Sequence, residues 1–209
     1  MSRARALVPA LVVVAVSALV ASLPGTPGRT ASTTVSVRDD FFEPRRVTVE
    51  VGGSVTWDRP ATTQRRHNVR EDGRIFRSGD PTGDDAFTYT AVFSAGTFHY
   101  FCEVHGGPTG GMDGLVRVPV TILAGPSGLP FTVRWATASS QTGDRFDVQF
   151  RVGSGEWRTW RAGTASLQGV FGKNGKPVRV RDGVTYRFRA RSLSGTARSR
   201  WSPPRSFTP

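Results

Sequence analysis

Beyond its N-terminal apolar run, no segment of this chain sustains a 3.6-residue apolar period. Short runs of β-branched and aromatic residues recur instead, with turn residues between them. The first set is Thr34–Val37, Val47–Val51, Ser54–Trp57, Ala86–Phe93, Thr97–Cys102 and Leu115–Ile122. The pattern predicts an all-β sandwich or barrel. Gly52-Gly53, lying between two runs, reads as a hairpin turn. The stretch from Ala124 to Pro130 is rich in breakers and marks a boundary. A second set follows at Thr132–Trp135, Phe146–Val152, Trp157–Arg161, Val178–Val180, Thr185–Ser192 and near Ser206. There is no repeat between the halves. A length of 209 residues suits two small modules, each able to bury a modest core.

Arg3 and Arg5 precede the apolar run Leu7–Val20, and the small residues Ala21, Ser22 and Gly25 follow it. That is the order of a secretory signal peptide. The run spans 14 residues and contains Pro9, too short for a comfortable membrane span. Residues 1–32 are therefore expected to be a signal peptide and tether, cleaved near Ala21, and the protein is expected to be secreted or associated with the cell envelope. The chain has one cysteine, Cys102, which excludes any intramolecular disulfide framework and any zinc site built on two or more of its cysteines. In an oxidising compartment a lone cysteine is paired between chains, exposed and reactive, or engaged with a metal.

The residues around Cys102 bear on that choice. Thr97-Phe-His-Tyr-Phe-Cys102-Glu-Val-His105-Gly-Gly-Pro-Thr-Gly-Gly-Met112 delivers a thiol at a strand end, then a glycine-rich loop with a histidine and a methionine. His67 lies upstream in a polar stretch. One thiolate, two imidazoles and one thioether form a soft-to-borderline donor set. Zinc prefers a fourth N, S or O ligand to a thioether, and iron–sulfur clusters usually need more cysteines. Copper tolerates two histidines and one cysteine with a weak axial methionine. Each residue also has an ordinary reading: Cys102 and Met112 as core filling, His67 and His105 as solvated loop residues. His99, three residues before Cys102 on the same strand, points to the opposite face and reads as surface.

Cys102-x2-His105-x6-Met112, after a Phe-x-Tyr-Phe strand and before Asp113-Gly114, resembles the type 1 copper loop of the cupredoxins (the plastocyanin and azurin family). His67-Asn68-Val69 resembles that family's upstream ligand segment, and Phe42-x-Pro44 before Val47-Thr48-Val49 its early strands. The resemblance spans residues 33–124 and implies a Greek-key β-sandwich holding one type 1 copper ion. It makes His67, Cys102 and His105 the equatorial ligands and Met112 the axial one. It also places the Asn68 backbone N–H against the Cys102 sulfur, where it would tune the potential. The chain departs from plastocyanins in having Val104 before the downstream histidine and two more residues between His105 and Met112.

Catalysis is not expected. The His-x-His pairs of a trinuclear copper cluster are absent, and a Cys102–His105 nucleophile pair has no evident third group to orient it. The resemblance implies a carrier of single electrons serving an unknown redox partner protein. Two alternatives are a copper storage or delivery protein, and an adhesion or scaffold protein acting through the second block.

That second block, residues 125–209, resembles a fibronectin type III domain, an immunoglobulin-like β-sandwich. Trp135 stands where an early-strand core tryptophan would, and Gly183-x-x-Tyr186 resembles the tyrosine corner, in which the phenol bonds upstream backbone. Tyr186, Phe188 and Ala190 alternate with Arg187, Arg189 and Arg191, so one strand face is core and the other a guanidinium row, which Trp157, Trp160 or Trp201 could stack. Such a face either binds a ligand or is a structural ladder on a spacer. The net charge of +12 divides unevenly: +3 in residues 1–32, −2 in residues 33–124 and +11 in residues 125–209. An anionic envelope polymer is a candidate partner for the basic block, nucleic acid is not expected for a secreted protein, and a monomer is expected.

Overall fold

In a computed structural model of the chain, residues 32–61, 64–83, 86–124 and 130–209 are described. The expected signal peptide over 1–32 lies outside them except for its last residue, as does most of the expected boundary. The described residues form strands, connecting loops and a short 3₁₀ turn at Lys173–Gly175. No helix among them is long and apolar enough to cross a membrane.

The first block contains β1 (Ser32–Val37), β2 (Phe42–Glu43), β3 (Arg46–Thr48), β4 (Ser54–Arg59), β5 (Arg70–Glu71), β6 (Phe87–Val92), β7 (Gly96–Gly107) and β8 (Gly110–Val118). They make two four-stranded sheets, ordered β2-β1-β4-β6 and β3-β8-β7-β5. Alternation dictates which residues face inward. Val35 and Val37 on β1, Val55 and Trp57 on β4, and Val116 and Val118 on β8 are all buried. The sheets meet through aromatic rings: Trp57 of one lies 5.1 Å, edge to face, from Tyr100 of the other.

Gly52-Gly53 is a turn, but not of a hairpin. The Gly53 N–H donates to Glu50 O at 2.8 Å and Gly52 has φ +83°, yet the flanking strands belong to different sheets. The chain crosses the sandwich here. The local residues that make a hairpin turn also make this corner, and only long-range pairing separates the two.

The rest of the chain supplies β9 (Thr121–Leu123), β10 (Phe131–Arg134), β11 (Arg145–Val152), β12 (Arg158–Thr164), β13 (Gln168–Phe171), β14 (Tyr186–Ser194), β15 (Ala197–Arg198) and β16 (Arg205–Phe207). One sheet runs β13-β10-β9; the other runs β12-β11-β14-β15, with β16 also on β14. β9 leaves the first block and pairs with β10, Val133 opposite Ile122. The expected strand Val178–Val180 does not form. Both valines pack against the core from a loop, and Gln168–Phe171 takes the sheet position beside β10. Phe171 lies at the centre, its ring 4.8 Å from Phe188, 5.0 Å from Phe150 and 5.1 Å from Trp160. Trp135 is fully buried, and the Arg181 N–H donates to the Tyr186 phenol at 3.0 Å. The guanidinium row is stacked: Arg189 lies between Trp157 and Trp201, 4.2 and 4.7 Å from their ring centroids, and Arg191 covers Trp201 at 4.6 Å.

A polar joint connects the two blocks. The Ala95 N–H donates to Trp135 O at 2.7 Å, the Ser192 hydroxyl to Ala95 O at 3.0 Å, and Thr97 exchanges two 3.0 Å backbone bonds with Arg200. At its centre the hydroxyls of Ser94, Thr142 and Ser192 form a buried cluster, Ser94 Oγ lying 2.9 Å from Thr142 Oγ1 and 2.7 Å from Ser192 Oγ. Ser94→Ala strips both neighbours of a partner where water cannot replace it. It is expected to cost about 1–3 kcal/mol, measured by urea denaturation, while an unchanged midpoint would show the cluster to be dispensable.

Asp147 gives a pH-dependent counterpart. Burial alone would raise its pKa, but the Gly163 N–H and the Arg191 guanidinium, which reaches Oδ2 at 2.7 and 2.9 Å, hold it below the ordinary carboxylate range. A depressed folded-state pKa stabilises the fold above the unfolded value of about 3.9, and that stability is lost as pH falls through the folded value. Asp147→Asn is therefore expected to lower the urea midpoint at pH 7. The gap to wild type should close below about pH 4; a gap constant with pH would refute this.

Candidate metal centre

A flat strand cannot aim Cys102 and His105 at one point, because residues three apart face opposite sides. The pairing of β7 with β8 resolves this. Phe101 lies opposite Asp113, and the next pair is Gly106 opposite Gly111. Cys102 to His105 thus bulge out against Met112 alone, and the bulge resets the alternation. Glycine permits the approach that closes it: a Cβ on Gly106 would lie 2.6 Å from Met112 O, and one on Gly111 2.6 Å from His105 O.

His67 reaches the same point from the loop before β5, held by paired backbone bonds with Thr82. Cys102 Sγ lies 3.7 Å from His67 Nδ1 and 3.6 Å from His105 Nδ1, and the three donor atoms all fall within 4.8 Å of one another. Cys102 and His67 are fully buried and His105 is partly exposed. Met112 is also buried, in the core cluster that includes Cys102. A metal bonded at roughly 2.0–2.3 Å to nitrogen and sulfur, as zinc is, sets neighbouring donors about 3.5–4 Å apart. The Cys102–histidine separations meet that condition.

The segments that carry the donors are tied by Asn68 and Glu103. The Glu103 N–H donates to Asn68 Oδ1 at 2.9 Å, while Asn68 Nδ2 donates to Gly79 O at 2.9 Å and to the Glu103 carboxylate. These side-chain bonds, across 35 residues of sequence, are what the structure describes for Asn68; the expected backbone N–H to sulfur bond is not among them. The only backbone group described against the sulfur is Arg66 O, at 3.9 Å. Glu103 does not stand out in the sequence, because a charged residue beside a buried cysteine reads as solvated. Burial pushes its pKa up, but Arg77, Asn68 and Arg70 outweigh that and keep it an anion. Burial lowers the His67 pKa, aided by the nearby His105 and opposed by Asp39, so the imidazole is neutral at neutral pH, the form that can bind a metal.

His99 does face away from the donors, as expected, but it is buried rather than on the surface. Nε2 lies 2.9 Å from Asp113 Oδ2 and Nδ1 3.5 Å from Asp72 Oδ2; those carboxylates pair in turn with Arg45 and Arg200. The second block supplies Arg200, and a strand read in isolation cannot show that its outer face will be covered.

No protein-family model matches the sequence, and no curated relative matches it. Among solved structures, a purple cupredoxin from Nitrosopumilus maritimus is 24% identical with a TM-score of 0.34, the match covering 41% of this chain and 98% of that one. An oxidised amicyanin variant is 24% identical at TM-score 0.35, covering 44% and 86%. A reduced amicyanin variant is 26% identical at 0.34, covering 42% and 81%.

The two loop glycines provide a test of the bulge. Gly106→Ala drives a methyl into the Met112 backbone and is expected to destabilise by about 1–3 kcal/mol. Gly107→Ala, whose Cβ would meet nothing within 4 Å, should stay within about 0.5 kcal/mol of wild type. Equal urea midpoints for the two variants would contradict the described closure.

Proposed function

We propose that the protein is an extracytoplasmic carrier of single electrons that binds one copper ion through His67, Cys102 and His105, with Met112 as the weak fourth donor. One observation supports this above all: a thiol and two imidazole nitrogens converge from separate segments, two of the three residues fully buried. The donor set is the one copper accepts in both oxidation states, and copper bound there supplies a one-electron couple. The chain contributes the rest. The β7–β8 bulge fixes Cys102 against His105, the Asn68–Glu103 ties fix His67 against both, and the surrounding core keeps water from the sulfur. Val104, 53% exposed, lies beside the partly exposed His105, so this edge is where a redox partner would approach. In this reading the second block acts as a spacer or docking module. The basic and apolar order of residues 1–32 supports export.

Storage or delivery is the competing use of the same donors. Full burial of two of them argues for retention rather than hand-over. Wild type given one equivalent of Cu(II) is expected to turn intensely blue and to bleach reversibly on reduction, whereas Cys102→Ser stays colourless. A colourless wild-type Cu(II) form would overturn the type 1 assignment, and a blue protein that yields copper to a weak chelator would favour delivery.

A further inference from the structure

His67 turns only one of its two ring nitrogens toward the other donors. Nδ1 faces Cys102 Sγ, while Nε2, on the far side of the ring, is buried and has no hydrogen-bond partner within normal range among the described residues. A buried N–H without an acceptor is unfavourable, so the group that faces it matters. That group is the Asp39 carboxylate on the loop after β1, with Oδ1 at 3.6 Å from Nε2. Oδ1 is held in place by the segment that carries the histidine, accepting the Gln64 N–H at 2.8 Å and the Arg65 N–H at 3.1 Å. The neighbouring Asp40 pairs with Arg65 at 2.9 Å. The Arg65 N–H, with the Gln64 N–H, keeps Asp39 below the usual carboxylate range even against partial desolvation, so the group is an anion.

The chemistry on the two sides of the ring agrees. An anionic oxygen at Nε2 favours the tautomer with its proton there. The Nδ1 lone pair is then free to accept the Cys102 S–H in the metal-free chain or to bind a metal. We propose that Asp39 is the positioning residue of His67: its Oδ1 receives Nε2–H, fixes the tautomer and aims Nδ1 at the point shared with Cys102 and His105. The consequence for metal binding rests on the copper reading above. The tautomer does not, because it belongs to the metal-free protein.

Long-range ¹H–¹⁵N NMR of the metal-free full chain, labelled at histidine, reads the tautomer directly. Wild type and Asp39→Asn, which keeps an oxygen acceptor, are expected to show His67 as the Nε2–H form; Asp39→Ala should show a mixture. Copper affinity, measured by competition with a chromophoric chelator, should fall about 10–100-fold in Asp39→Ala and recover toward wild type in Asp39→Asn. A wild-type Nδ1–H form would overturn the proposal, even if Asp39→Ala fails to fold. An unchanged tautomer and affinity in a folded Asp39→Ala would overturn it too. Wild type that binds no copper yet holds the Nε2–H form would sink the metal reading alone and leave the role of Asp39 standing.

Discussion

The buried Asn68 carboxamide joins the two segments that carry the donors, and the geometry of the site depends on it. Its oxygen satisfies the backbone of Glu103, the residue after Cys102, and its nitrogen reaches the loop at Gly79 and the Glu103 side chain. A buried amide of this kind is stabilising only when all its groups are met, so it specifies one arrangement of the segments rather than a range. Three donors that repel or desolvate one another are thereby held at metal-like spacing. The Asn68 hydrogen bonds hold the segments together without using a donor side chain.

Much of this was legible in the sequence, and what was not shares a physical cause. Residue chemistry alone singled out His67, Cys102, His105 and Met112, because a lone cysteine followed by histidine and methionine in a glycine-rich loop is an uncommon set. The convergence of the three His and Cys donor atoms is a property of the fold. The bulge that lets an odd spacing serve one site depends on the register between β7 and β8, and the Asn68–Glu103 ties bridge 35 residues. Strand existence followed from alternation at most positions. Val178 and Val180 were misleading because partly buried valines pack from a loop as well as from a strand, and Gln168–Phe171, with a glycine inside it, gave little pattern. A single strand does not reveal that His99 is covered, because part of its cover is Arg200, 101 positions later, acting through Asp72.

The arginines of the guanidinium row, which reads in sequence either as a binding face or as a ladder, are largely engaged within the chain. Arg189 is stacked between two tryptophans and bonded to Gln149, Arg191 is bonded to Asp147, and Arg187 donates to Gly153 O. Interleaved rings and cations of this sort stiffen a sheet face. Arg191 is neutralised by Asp147, whereas Arg187 and Arg189 bond neutral oxygens and keep their charge.

The joint between the blocks has a further consequence through β7. The residues that grip the second block, Ser94 to Thr97, lead directly into the strand that ends in the thiol. One continuous backbone of five residues separates that seam from Cys102. The second block therefore braces the start of the strand that carries the sulfur. Cutting it away would bare the polar seam beside the strand on which the geometry of the site is built.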